Sequence, residues 1–211
     1  MQYVHGTLRT ALTYAERLRL VPRNVAKLAK PPRMVRGEVH PFTAEEAQRL
    51  LAAAHGHRLQ ALFVTALGTG MRQAELLGLR WADLDLEGSR LTVRVQLQRL
   101  GGRLVLTEPK TERSRRTIEL PSVVVEALRQ HRLRQVEERL RLGGLWEDYG
   151  LVFCTERGRP LDARNVIRLF QDRLLPAAGL PRRPFHVLRH SAATCLLASG
   201  CDLRVVQQVL G

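Results

Sequence analysis

Apolar residues recur at helical spacing toward both ends of the chain and at alternate positions near its middle. Leu8, Leu12, Ala15 and Leu18 predict a helix over residues 5–19. Pro22-Arg23-Asn24 opens a short second element over 25–30, which Pro31-Pro32 cannot continue. Thr43 and Glu46 carry the signature of a capping box, with Ala47, Leu50 and Leu51 on one face behind it. Residues 58–67 are nearly all apolar and predict a buried helix broken by Gly68-Thr69-Gly70. Another helix is expected from near Arg72 through Glu75, Leu76, Leu77 and Leu79 to about Trp81.

The period then changes. Leu91, Val93 and Val95 alternate with Thr92, Arg94 and Gln96, as in a half-buried strand. Gly101-Gly102 signals a hairpin, and 103–107 and 116–120 supply two further strands. Pro121 suits the first turn of a long helix to about Leu142, with Val124, Leu128 and Val136 expected inward and many arginines outward. Leu151 to Cys154 form a short apolar run; helices are expected over 162–175, 184–199 and from 203 onward. Helices, a three-stranded antiparallel sheet, then helices again make an α+β, mainly α fold. Residues 31–41, rich in proline and basic side chains, read as a linker. The first 30 residues are too few for a core of their own.

Composition narrows the class of partner. The 211 residues carry 34 Lys plus Arg against 20 Asp plus Glu, a formal charge of +14. Such an excess points to a polyanion, nucleic acid first, because phosphate contacts dominate non-specific affinity. Only 5% of residues are aromatic, which argues against a platform for stacking single-stranded bases. No basic amphipathic helix stands apart for a membrane surface, and no apolar run reaches spanning length. Cys154, Cys195 and Cys201 show no CxxC pairing, so neither a metal site nor a disulfide framework is expected, and the thiols read as those of a cytoplasmic protein.

Four basic side chains could do chemistry. His186 and Arg189 are three apart, a spacing that shares one helix face and sets a cation beside a group that titrates near neutrality. His190 is expected on another face, as a structural or supporting group. Arg72 follows Gly-Thr-Gly-Met, where glycines let backbone approach a phosphate, though Arg72 could equally be an exposed partner of Glu75. Lys110, in Glu-Pro-Lys-Thr between two strands, could donate a proton, which arginine does poorly, or could be a solvated loop lysine. It is one of only three lysines, with Lys27 and Lys30.

Three stretches together resemble the tyrosine recombinases, the phage integrase family. They begin with Gly-Thr-Gly-Met-Arg-Gln-Ala-Glu-Leu-Leu-Gly-Leu-Arg-Trp-Ala-Asp-Leu-Asp at 68–85. Pro-Lys-Thr-Glu-Arg-Ser-Arg-Arg-Thr-Ile-Glu-Leu-Pro follows at 109–121, and His-Val-Leu-Arg-His-Ser-Ala-Ala-Thr at 186–194. The resemblance implies cofactor-free, metal-free phosphoryl transfer on double-stranded DNA, for site-specific recombination or integration. It implies Arg72 and Arg189 on the scissile phosphate, Lys110 protonating the departing 5′ oxygen and His186 assisting proton transfer. Glu75 would orient Arg72. Further recombinase subunits are implied as partners in a synaptic complex, and a bacterial, phage or mobile-element origin. Residues 1–36 would be the end of a helical core-binding domain and 37–211 the catalytic domain.

The family's last box, Leu-Gly-His or Leu-Gly-Trp and then the tyrosine nucleophile, reaches only Leu210-Gly211 here. Tyr3, Tyr14 and Tyr149 fall outside it, and Tyr149 reads as a packing residue. The expectation is a catalytic domain lacking its C-terminal segment, with no nucleophile in the chain, that binds duplex DNA and does not cleave it unaided. Two other readings remain at this stage: a DNA-binding module without chemistry, and a basic RNA-binding protein.

Overall fold

A computed structural model describes residues 2–31, 40–108 and 115–198. The chain divides into two units, Met1–Glu38 and Val39–Gly211. In the first, helix α1 (Gln2–Arg17) is followed by a 3-10 turn, Val25–Lys27. Asn24 joins them. Its side chain accepts from the Ala26 N–H and donates to the Arg9 carbonyl and the Thr13 hydroxyl. Ala26 is the one buried apolar residue described in this unit, so polar contacts hold it together.

The second unit has a continuous apolar core. Helix α2 (Ala44–Ala53) begins at the expected capping box: Thr43 Oγ1 accepts from the Glu46 N–H, and Glu46 accepts from the Thr43 N–H. Helix α3 (Gln60–Thr69) is the buried helix, and it runs through Gly68 instead of stopping there. A Cβ on Gly68 would stand 2.4 Å from Val124 Cγ2, so this glycine lets α3 close onto α5 (Ser122–Leu142). The break comes at Gly70, whose left-handed φ of 61° ends α3 and turns the chain into α4 (Gln73–Gly78).

The expected strand over 91–96 is two strands. Strands β1 (Leu84–Asp85), β2 (Arg90–Val93) and β5 (Arg116–Glu119) form a three-stranded antiparallel sheet in the order β1-β2-β5. Strands β3 (Gln96–Leu100) and β4 (Arg103–Thr107) make a separate hairpin about the Gly101-Gly102 turn. The chain changes partner at Arg94-Val95, because β3 must lie against α4: a Cβ on Gly78 would meet the Gln96 backbone at 2.8 Å. The antiparallel three-stranded sheet is present, but its third member is the short β1, which has too few residues to show a period.

Helix α5 departs from expectation at Val136, which is 48% exposed. Its inward face runs Val124, Leu128, His131, Gln135. The two polar residues face the buried segment Leu151–Cys154, whose carbonyls need donors. His131 Nε2 donates to the Val152 carbonyl, and Gln135 Nε2 lies within reach of the Leu151 and Val152 carbonyls. Helix α6 (Ala163–Leu169) continues through a π-helical turn, Phe170–Leu174, into α7 (Leu175–Ala177). Pro176 has no N–H for the carbonyl four residues back, and the wider turn ahead of it accommodates the ring. Helix α8 (Val187–Ala198) closes the described part. No described helix is long and apolar enough to cross a membrane.

Candidate active site

Two chain segments meet at the site. The first is the turn from α3 into α4. Gly70 supplies the reversal, Met71 is buried beneath it, and Arg72 takes extended backbone at the head of α4. Glu75, one turn on, accepts from the Arg72 N–H at 2.9 Å and from Arg72 Nη1 at 2.9 Å. The second is the entry to α8. Val187 and Leu188 are fully buried, which fixes the first turn and leaves Arg189 half-buried at its edge.

His186 lies one residue ahead of α8, not within it. Its carbonyl accepts from the N–H groups of Arg189 and His190, and the imidazole is exposed. Four residues apart, His186 and His190 share a face, and their rings stand edge to face with centroids 5.3 Å apart. This corrects the expectation that His190 points elsewhere.

The loop carrying His186 is tied down. Phe185 is buried against Phe63 and Phe170, with centroids 6.3 and 5.5 Å away. The Arg183 guanidinium forks onto Glu46 at 2.8 and 2.9 Å and lies 4.7 Å over the Phe42 ring. That fork holds the Glu46 carboxyl below its ordinary range, against a smaller opposing effect of burial. The π turn presents Gln171, whose amide donates to the Arg183 carbonyl at 2.9 Å.

Arg189 bridges the two segments. Its Nη1 donates to the Gly70 carbonyl at 2.9 Å, across 119 positions of sequence. Arg72, His186 and Arg189 line one cleft of about 340 Å³, with Met71, Phe185 and Gln171 also on its wall. Burial and the charges of Arg72 and Arg116 push the Arg189 guanidinium down to about 10, Glu75 opposing them; it remains a cation at neutral pH. A larger cleft of about 460 Å³, beside Trp81 and Arg129, contains none of these groups.

The sequence reading missed Arg116. It projects inward from β5 with its side chain 5% exposed, and both its Nη atoms donate to Glu75, at 3.1 and 2.9 Å. Glu75 is therefore not one half of a solvated surface pair. Its carboxylate is 3% exposed and serves two guanidinium groups and a main-chain N–H. Burial alone would raise its pKa; the bonds from Arg116 and Arg72 outweigh that and hold it below the ordinary range. A signal for Arg116 was present: alternation from Ile118 puts residue 116 on the apolar face of its strand.

Lys110 lies outside the described residues. Of the tyrosines, Tyr149 is 47% exposed, not packed, and is absent from the cleft wall. Tyr3 and Tyr14 belong to the other unit. Among the described residues no group of His, Cys, Asp or Glu is arranged to hold a metal ion.

Residues 41–211 match the model of the phage integrase family. A "tyrosine recombinase XerC-like" protein of Caldanaerobacter subterraneus subsp. tengcongensis is 39% identical over 193 residues, which are 86% of this chain and 49% of that protein. The chain spans about half the length of the curated relatives it matches. Among solved structures, the Tn1549 transposon integrase in complex with a circular intermediate DNA superposes with a TM-score of 0.82 at 22% identity. That match covers 99% of this chain and 70% of the integrase. A lambda integrase tetramer bound to a Holliday junction superposes with a TM-score of 0.63 at 23% identity, covering 99% and 56%. The fold is that of the tyrosine recombinase catalytic domain, and the match over 41–211 makes this chain a member of the phage integrase family.

Proposed function

We propose that the cleft receives a backbone phosphate of duplex DNA, and that the activity it serves is site-specific recombination by phosphoryl transfer through a 3′-phosphotyrosine. The observation that carries this reading is the meeting of Arg72, His186 and Arg189 at one cleft. Two guanidinium groups suit the two non-bridging oxygens of a phosphodiester, because each offers a planar fork of donors. Charge grows on those oxygens during displacement, so donors held in place beforehand favour the transition state over the ground state. His186, exposed on the cleft wall, is suited to hold the phosphate or pass a proton.

Lys110 is proposed as the acid for the departing 5′ oxygen, on the resemblance of residues 109–121 alone. No metal or organic cofactor has a part in this scheme. The described cleft has no tyrosine on its wall, so the 211 residues are proposed to bind DNA without forming a covalent adduct by themselves. Further recombinase subunits are proposed as partners, and a cytoplasmic location.

Titration of duplex DNA binding against salt tests the reading. Each lost phosphate contact lowers the slope of log K on log salt by about 0.9. Arg72→Ala and Arg189→Ala should each reduce it by about 1. Unchanged slopes in both variants, or tighter binding to double-stranded RNA than to DNA, would sink the reading.

A further inference from the structure

We infer that Arg116 is a positioning residue for the phosphate-binding arginine: it supplies Glu75 with a counter-ion of its own, so that Glu75 orients Arg72 without neutralising it. The inference rests on the reading of the cleft given above, and goes beyond it to a residue that cannot touch DNA.

The geometry shows a division of labour on one carboxylate. Arg116 takes both oxygens, with Nη1 on Oε1 at 3.1 Å and Nη2 on Oε2 at 2.9 Å. Arg72 takes Oε1 with its guanidinium and Oε2 with its main-chain N–H, both at 2.9 Å. The exposures differ as the roles require. The Arg116 and Glu75 side chains are 5% and 3% exposed, while that of Arg72 is 45% exposed. The buried members form the forked pair; the member that reaches solvent gives the same carboxylate one guanidinium nitrogen.

A single glutamate beneath Arg72 would fix its direction and also cancel much of its charge, since their separation is that of a direct ion pair. A second cation on the same carboxylate removes that conflict. It also explains why a strand places arginine where alternation calls for an apolar side chain, at the cost of desolvating a charge. β5 thereby contributes to a site that lies on α4 and α8.

The test is the salt dependence of duplex DNA binding by the full chain, in five proteins: wild type, Arg72→Ala, Arg116→Met, Arg116→Lys and the double variant Glu75→Gln/Arg116→Met. Met fills much of the arginine volume without charge. Arg116→Met should lose about as much as Arg72→Ala: roughly tenfold in affinity and about 1 in the salt slope. Arg116→Lys should fall between wild type and Arg116→Met, since it keeps the charge and loses the fork. The double variant should recover most of the slope, because the glutamate left to neutralise Arg72 is gone.

A merely structural role predicts the opposite for the double variant, which would bind no better than Arg116→Met. That result, or a wild-type slope in Arg116→Met, overturns the inference. Should Arg116→Met fail to fold, Arg116→Lys and the double variant, which buries no lone charge, decide the matter: a wild-type slope in Arg116→Lys, or a slope in the double variant as low as that of Arg72→Ala, overturns the inference. If Arg72→Ala and Arg189→Ala both keep the wild-type slope, the cleft is not a phosphate site and the inference falls with it. If those two lower the slope and Arg116→Met does not, the positioning role alone is wrong.

Discussion

Two arginine–glutamate contacts of the second unit, one at Glu138 and one at Glu75, are built for different ends. Arg58 forks onto Glu138 at 2.7 Å through both Nε and Nη2, and its remaining donors go to the carbonyls of Cys154 and Thr155. One cation meets one anion, and the rest of the guanidinium is spent on backbone. Glu75, by contrast, is shared between Arg116 and Arg72, and Arg72 reaches the cleft. The first arrangement staples the 151–155 segment to α5. The second holds a cation in a chosen direction at a surface. Burial of charge alone does not separate the two; the difference is that the shared carboxylate holds an arginine that lines the cleft.

The largest expected effect is on the shared carboxylate. Glu75→Ala leaves Arg116 buried without its anion and should lower stability by about 3–5 kcal/mol. Urea unfolding at neutral pH measures it. A loss below about 1 kcal/mol would show that water reaches Arg116 and that the contrast with Arg58 is empty. Glu138→Ala should lose less, about 1–3 kcal/mol, for two reasons. Both side chains of that pair are 21% exposed, and Arg58 keeps its two carbonyl acceptors. Its DNA affinity should match wild type, which separates the staple from the site.

Much of this was legible in the sequence. Arg72, His186 and Arg189 stand in stretches distinctive enough to be set side by side from the sequence, and they line one cleft. The capping box at Thr43 follows from local rules and formed as expected, and the buried helix behind it is present, though it runs on through Gly68 to Thr69. What the sequence concealed depends on contacts between distant segments. Gln135 rather than Val136 faces inward because the carbonyls of 151 and 152 need a donor, and hydropathy carries no word of that. The strand over 91–96 divides because β3 packs on Gly78, which no period of 91–96 can reveal. Arg116 was overlooked because a basic residue among Arg113, Arg115 and Arg116 reads as more surface charge; only its register with Ile118 sets it apart.

Acid should distinguish the shared carboxylate by a smaller amount. The Glu75 carboxyl titrates below its ordinary value in the folded chain, near 4.3 when unfolded. Its contribution is therefore fully present above that value and is lost as pH falls through the folded pKa. Stability measured from pH 6 down to about pH 3 should decline less steeply in Glu75→Gln/Arg116→Met than in wild type. Glu46, depressed by Arg183, adds a decline of the same sign that both proteins share. Equal slopes in the two proteins would mean that Glu75 titrates alike in the folded and unfolded chain, and that the arginines do not act on it.

The smallest effect is expected where an arginine meets a carboxylate in water. Arg139 Nη1 lies 3.0 Å from Asp148 Oδ2, within the 2.9–3.1 Å range of the contacts to Glu75, yet the side chains are 60% and 50% exposed. At that exposure the attraction is screened and two long side chains lose freedom to make it, so such pairs are worth about 0–1 kcal/mol. Asp148 also accepts from the Gly150 N–H, at 2.9 Å, and that bond should be kept by asparagine. Asp148→Asn isolates the charge, and unfolding free energies at low and high salt should differ from wild type by no more than about 0.5 kcal/mol. A loss comparable to that of Glu138→Ala would mean that distance, not burial, sets the strength of these contacts, and the distinction between staple, site and surface would have to be redrawn on geometry alone.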